Sequence, residues 1–379
     1  MRIGIDCRTI LNPKYGEKAG VGHYTYYLVK NLLKIDKKNQ YILFFDHRFK
    51  DVKELQKKNV EIVRFPWSEY KKYMPLGYSH YIIANVLAKA NLDVFHAPAN
   101  IMPLGYKKPT VLTVHDLAIY QNPEWFPPKQ KFSVKISVPK SIGKAKKIIA
   151  ISESTKKSLI SQFNLTDGKI KVVYEGFTKE KPCNNKVIKR TLKKYKTGEK
   201  YILFLGTLEP RKNVPALIQA FDNLVKENYK KYKDYQLIIA GAKGWKYEPI
   251  IKAIKEIKYS RVRYLGYISI VEKMALLSKA TCFVFPTLWE GFGLPVLEAM
   301  GFGIPVITSN ISSLPEVVEK AGILVNPEKS ESIKAGLKKL LSNKATLKRY
   351  SKKAKQQAKK FSWQKCAKET FKIYKEAAI

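Results

Sequence analysis

The chain has 379 residues, more than one domain of about 150 usually takes, so two domains are expected. Hydrophobic residues make up 45% of it, enough for sizeable cores, and this excludes a disordered chain. Lys and Arg total 71 against 31 Asp and Glu, a formal net charge of +40 that fits either a lysine-rich solvated surface or attraction to an anionic membrane surface.

Arg2–Cys7 reads as the first strand, entered from the N-terminus without a signal-peptide pattern. No apolar run approaches the roughly 18–20 residues of a membrane span, so a cytoplasmic protein is expected, at most peripheral at the inner face of the cytoplasmic membrane. The loop that follows ends Gly16-Glu-Lys-Ala-Gly20-Val-Gly22-His23 and leads into a helix over Tyr24–Leu33. Glycines ahead of a helix let the backbone approach a phosphate closely, but the spacing is not G-x-G-x-x-G, which argues against dinucleotide binding.

Tyr41–Phe45 and Val60–Phe65 read as the next strands. Between Arg64 and Lys89, Trp67, Tyr70, Tyr73, Met74, Tyr78, Tyr81, Ile82 and Ile83 mix with Lys71 and Lys72. Such a mixture fits an interfacial element on anionic lipid, or an ordinary core-facing helix with an aromatic loop. Asp93–His96, Val111–Val114 and Lys147–Ile151 complete the first set of strands. His115-Asp116 stands at a strand end, where Asp116 would orient the His115 ring toward a sugar hydroxyl or a backbone group, or the two form a structural pair. His96 has a similar position and reads as structural.

Lys179–Lys200 is polar and lysine-rich and reads as a linker, with a domain boundary near Tyr174–Lys181. Strand-like runs restart at Tyr201–Gly206 and repeat at Gln236–Ala240, Val262–Leu265, Cys282–Phe285, Pro305–Thr308 and Gly322–Val325. This alternation of strands with helical stretches implies two doubly wound parallel α/β sheets, Rossmann-like, facing across a cleft. Ser342 to Ala378 reads as two amphipathic helices broken near Phe361-Ser-Trp363. The expected domains are 1–177, 178–360, and a C-terminal helix, 361–379, returning to the first. Cys7, Cys183, Cys282 and Cys366 have no metal-ligand spacing and read as reduced, mostly buried thiols.

The chemistry concentrates where strands end. Gly206-Thr-Leu-Glu-Pro-Arg-Lys-Asn213 places Arg211 and Lys212 after a strand, with Asn213 as N-cap of the next helix. A guanidinium fork beside an ammonium can neutralise a diphosphate. Thr287-Leu-Trp-Glu-Gly-Phe-Gly-Leu-Pro-Val-Leu-Glu-Ala299 sets Glu290 in a strand-to-helix loop and Glu298 about one turn into the helix. Carboxylates accept hydroxyl hydrogen bonds, so one Glu can hold a ribose diol and the other sugar hydroxyls, beside free N–H groups near Gly293 and Leu294. The other reading of the loop alone is a corner whose glycines serve only the turn.

In order along the chain, Gly20–Gly22, His115–Asp116, Ile149-Ala-Ile-Ser152-Glu-Ser154, Arg211-Lys212-Asn213 and Glu290 with Glu298 resemble the retaining family 4 glycosyltransferases, of the GT-B fold. The resemblance implies a nucleotide-sugar donor, with Arg211 and Lys212 on its pyrophosphate, Glu290 on sugar hydroxyls and Glu298 on the ribose. Gly206, Gly291, Phe292, Gly293 and Leu294 would complete the donor site in this domain, with Gly266 and Tyr267 near the base. Gly20 and Gly22 would close on the phosphate and His115 would approach the transferred sugar; Ala19 departs from the small-residue pattern of many relatives. Catalysis is expected to rest on Arg211, Lys212, Glu290 and His115, without a metal or other cofactor, since no Asp-x-Asp motif stands out. Val111–Pro128 and the Ala240–Trp245 turn resemble mannosyltransferases acting on cell-surface polysaccharide, which points to GDP-mannose and a glycan or lipid-linked acceptor, with a UDP-hexose as the alternative donor. Nucleic acid is not expected as a partner, for no recognition module appears.

Overall fold

A computed structural model describes residues 1–10, 20–47, 49, 53–65, 78–178 and 183–379, except the side chains of 78–79 and 129–133. Two units emerge. One comprises Met1–Gln121, Pro128–Gly176 and Ser362–Ile379; the other comprises Asn122–Pro127 and Phe177–Phe361.

The first unit is built on strands β1 (Arg2–Asp6), β2 (Gln40–Asp46), β3 (Val60–Phe65), β4 (Val94–Ala97), β5 (Thr110–Val114), β6 (Lys147–Ala150) and β7 (Ile170–Val172). They pair in the order β3-β2-β1-β4-β5-β6-β7, every pair parallel. Central strands of such a sheet are covered on both faces, which is why β4 and β5 are buried throughout. β7 was not expected from the sequence; it is a three-residue edge strand whose Lys171 is exposed, too short to show a pattern.

The second unit holds β8 (Lys200–Leu205), β9 (Tyr235–Ala240), β10 (Arg261–Tyr264), β11 (Cys282–Phe285), β12 (Val306–Ser309) and β13 (Ile323–Val325). Their order is β10-β9-β8-β11-β12-β13, again all parallel. Strand order reverses between β8 and β11, so the loops leaving those two strands diverge over one crevice at the sheet's carboxyl edge. Ligands of open α/β sheets bind at such a switch point.

The expected linker contains a helix, Asn185–Lys194, with Asn184 accepting from Lys186 N–H at 2.9 Å. Val187, Ile188, Thr191, Leu192 and Tyr195 turn inward at helical spacing, a periodicity hidden among the lysines. Residues 179–182 of that stretch lie outside the described residues. Asn122–Pro127, within the expected first domain, joins the second unit: Trp245 Nε1 donates to the Trp125 carbonyl, and Lys246 Nζ to that of Glu124 at 2.9 Å.

The tail helix Lys344–Ala358 belongs to the second unit, whereas Trp363–Ala378 belongs to the first. Ser362 separates them, capping the last helix by accepting from Lys365 N–H at 3.1 Å. Trp363 stacks on Tyr27 with ring centroids 5.5 Å apart, and Tyr374 is fully buried with its hydroxyl 2.7 Å from His96 Nδ1. Burial of a large apolar side chain contributes roughly 1.5–3 kcal/mol, so these rings anchor the helix to its own unit. Cys7, Cys282 and Cys366 are buried, Cys183 is half-buried, and none forms a disulfide.

The described part of the aromatic segment faces the core: Ile83 and Leu87 are fully buried, while Tyr81 is 68% exposed. Trp67, Tyr70, Lys71, Lys72, Tyr73 and Met74 lie outside the described residues, as do Gly16 and Ala19 of the glycine loop. No helix among the described residues is long and apolar enough to cross a membrane.

Candidate active site

At the switch point of the second unit, backbone contacts first bring three loops together. Gly206 N–H donates to the Ala240 carbonyl at 3.0 Å, and Gly241 N–H to that of Gly266 at 2.9 Å. A side chain on Gly241 would sit 1.9 Å from the Gly206 carbonyl oxygen, so glycine is required where the exits of β8 and β9 touch. Tyr267, just beyond Gly266, is 54% exposed.

Pro210–Lys212 then forms a single 3-10 turn, and Asn213 adopts a left-handed conformation, φ 55°. Asn213 heads the helix Val214–Glu227 but does not cap it with its side chain. Instead its amide donates to the Pro286 carbonyl at 3.1 Å and the Pro327 carbonyl at 2.6 Å, tying the loops after β11 and β13 to the one after β8. The expected cap is thus corrected: with positive φ the side chain is directed away from the first-turn amides.

That clamp places Arg211 and Lys212 against Glu290. One carboxylate oxygen, Oε1, accepts from Arg211 Nη1 at 2.9 Å, Lys212 Nζ at 2.6 Å and Thr287 Oγ1 at 2.9 Å. Arg211 Nη1 also reaches the Trp289 carbonyl, and its Nη2 donates to Glu209 Oε1 at 2.7 Å. Lys212 lies 4.9 Å from the Phe285 ring centroid. Glu209, Lys212 and Glu290 are all buried. Two cations and two carboxylates therefore balance in a low-dielectric pocket, where an unpaired charge would be costly.

Burial opposes ionisation of Glu290, but Arg211 and Lys212 overcome it and hold its carboxyl below the usual range. Lys212 is also drawn down, first by burial and then by Arg211, with Glu290 and Glu209 pulling the other way. Both directions agree with an ionised Glu290 shared by two neighbouring cations. Oε2 of Glu290 accepts no hydrogen bond from the described residues.

The Glu290 loop is fastened by Ser312, which accepts from Glu290 N–H at 3.2 Å, and by Ser313, which donates to its carbonyl at 3.0 Å. Gly293 follows with φ 102°, and a side chain there would come 2.6 Å from Leu314 Cδ2. This turn starts the helix Leu294–Gly301 and leaves the Leu294 N–H at its positive end without an intrahelical partner. Phe292 is buried, its ring turned inward onto Phe361 with centroids 5.7 Å apart. Glu298 is half-buried and grips Lys273 with both oxygens, at 2.8 and 3.0 Å.

Sequence reasoning missed Glu209 and Lys273. Glu209 stands two residues before Arg211 in the same strand-end loop, and Lys273 lies in the helix Ile270–Lys279, just after Gly266-Tyr267. Adjacency to residues already singled out was the available signal for Glu209.

The first unit arranges its polar groups differently. Gly20, with φ 60°, starts the helix Val21–Ile35, and Gly22 is buried in its first turn. His115 is buried after β5, its Nε2 donating to the Pro98 carbonyl at 2.9 Å, its Nδ1 3.5 Å from Glu175 Oε1, and its ring edge-on to Tyr24. Asp116 does not orient the ring; its carboxylate accepts from Ala118 N–H at 3.1 Å. One residue's step along the exit from β5 turns that carboxylate away from the imidazole. His96 lies between Tyr374 and Thr113, at 2.7 and 2.8 Å, and burial followed by His115 lowers its pKa to about 3. No group of three His, Cys, Asp or Glu side chains is placed for metal binding among the described residues.

With this geometry established, comparisons with known proteins give a consistent picture. Residues 187–357 match the family described as "Glycosyl transferases group 1", and residues 19–181 match "Glycosyltransferase Family 4". The chain is 29% identical over 291 residues to an O-antigen chain mannosyltransferase B of Escherichia coli, covering 74% of each protein. It is 27% identical over 266 residues to the O-antigen chain mannosyltransferase RfbU of Salmonella typhimurium, 69% of each. Among solved structures, the sucrose-phosphate synthase of Thermosynechococcus elongatus superposes with a TM-score of 0.74 at 17% identity, over 99% of this chain and 98% of that one, which shows a shared GT-B fold.

Proposed function

The chain belongs to glycosyltransferase family 4, and from that premise we propose that it is a retaining mannosyltransferase carrying mannose from GDP-mannose to a glycan or lipid-linked glycan acceptor. The donor assignment draws on the mannosyltransferase relatives. The observation that carries the site assignment is Glu290: one oxygen locks both cations and the other accepts no hydrogen bond from the described residues.

In this reading the second oxygen accepts a hydroxyl of the transferred sugar. Lys212 gives one of its three N–H bonds to Glu290 and turns the others to the diphosphate, beside Arg211 and the Leu294 N–H. Glu298 uses its remaining lone pairs on the ribose diol while Lys273 offsets its charge. Gly206, Gly266, Tyr267, Gly291 and Gly293 line the donor. The acceptor hydroxyl attacks the anomeric carbon, the bond to the nucleoside diphosphate breaks, and the proton passes to a phosphate oxygen of the leaving group. Arg211 and Lys212 stabilise that leaving anion, so transfer proceeds without a divalent ion.

The test is a donor panel. GDP-mannose should raise the melting temperature and be turned over with retention at the anomeric carbon, with undiminished rate in EDTA. Turnover of a UDP-hexose with no response to GDP-mannose would overturn the donor assignment.

A further inference from the structure

From Ser332 to Phe361 the sequence holds eleven Lys or Arg and no Asp or Glu. The excess is concentrated on the helix Lys344–Ala358 and the two lysines after it. There Lys344, Lys348, Arg349, Lys352, Lys353, Lys355 and Lys359 are all exposed, and none makes an ion pair with a described residue. Lysines on the preceding helix, Ser330–Leu340, behave differently: Lys334 and Lys338 both bind Glu227. Lys360, at the end of the array, pairs with Glu319.

The array is also one-sided. At about 100° per residue, the seven basic positions spread over roughly half of the helix circumference, while Leu347, Tyr350, Ala354, Gln357 and Ala358 fill the opposite half. Gln357 fixes the buried side by donating to the Val317 carbonyl at 3.2 Å. The result is a straight, uncompensated cationic face roughly 22 Å long. No large apolar side chain is exposed between Ser332 and Phe361, so the face has nothing to insert into a hydrocarbon core.

We infer that this face docks the protein electrostatically onto an anionic lipid surface. The inference rests on the proposed lipid-linked acceptor, and it concerns a surface other than the aromatic segment between Arg64 and Lys89. A planar sheet of lipid phosphates complements a straight row of cations along its whole length. A nucleic acid is less well matched: strands bound without sequence preference stack on exposed aromatic rings, and Tyr350 is half-buried beneath Arg349 and Lys353, at 5.4 and 5.9 Å. Binding held by charge alone falls with ionic strength, because the screening length shrinks from about 10 Å at 0.1 M salt to about 3 Å at 1 M.

The experiment is co-sedimentation of the full chain with vesicles of phosphatidylcholine alone or with 30% phosphatidylglycerol, in low and high salt. Wild type should bind only the anionic vesicles and be released by salt; Lys348→Glu, Arg349→Glu, Lys352→Glu and Lys353→Glu combined should cut binding at least tenfold. Equal binding to zwitterionic vesicles, or undiminished binding by the quadruple variant, would overturn the inference. So would a variant that loses duplex DNA binding at physiological salt while keeping the vesicles. Transfer to a soluble acceptor, measured on the same variant, should be unchanged; its failure in wild type would strike the proposed function and leave the vesicle result to judge this surface.

Discussion

At the carboxyl end of β5, both ring nitrogens of His115 face protein acceptors, whereas at the end of β11 Glu290 gives one oxygen to three protein donors and keeps the other without a donor among the described residues. His96 follows the first pattern, closed between Thr113 and Tyr374 and linked through Thr113 to Tyr24, 3.1 Å away. Two sheets of the same topology thus use polar groups at their edges for different ends. Buried groups whose bonds all close within the protein join elements together; a buried charge that is paired yet incompletely bonded keeps acceptor capacity, which the proposed function gives to a sugar hydroxyl.

The comparison breaks most sharply at Glu290. Glu290→Ala leaves buried Lys212 and half-buried Arg211 short of a counterion, so it should lower stability by about 3–5 kcal/mol and abolish transfer. Glu290→Gln keeps the shape and should fold while losing at least ~10³-fold in kcat/KM, read from urea melts and initial rates. Equal activity in Glu290→Gln and wild type would place Glu290 with the closed groups of the first unit.

His96 tests the other side. Its folded-state pKa, about 3, lies below the roughly 6.5 of an unfolded histidine, so the unfolded chain binds more protons in between. Stability should therefore fall as pH drops below 6.5, by about 2 kcal/mol between pH 7 and 5 from this residue. His96→Asn should flatten that slope in urea midpoints while leaving donor binding intact.

Glu209→Gln sharpens the picture within the cluster. It keeps a hydrogen-bond acceptor for Arg211 but removes a balancing charge, so stability should drop by about 1–2 kcal/mol and kcat should fall more than KM rises. The smallest effect is expected at Glu298→Gln, roughly tenfold in donor KM with kcat nearly kept, because Glu298 is half-buried and in the proposed function holds the ribose rather than the transferred sugar.

The same contrast explains what the sequence could reveal. Buried parallel strands are apolar runs, and Phe283, Val284 and Phe285 announce β11 directly; Ile170-Lys-Val172 at a sheet edge does not. Motifs tied to strand ends, such as Arg211-Lys212 and Glu290, were visible because topology dictates where a strand's exit leads. Partners supplied across loops were not: Glu175 and Pro98 replace Asp116 at His115, and Asn213 reaches Pro286 and Pro327 in place of its own helix. Those choices depend on backbone angles such as the positive φ of Asn213, which single residues do not announce.

The central claim is that the Glu290 cluster holds a nucleotide sugar, and the most direct measurement is calorimetric titration of GDP-mannose into wild type, Glu290→Gln and Lys212→Gln, each first shown to be folded. Wild type should bind with micromolar affinity, and each variant should weaken binding at least tenfold, about 1.4 kcal/mol. Unchanged affinity in both variants would contradict the account.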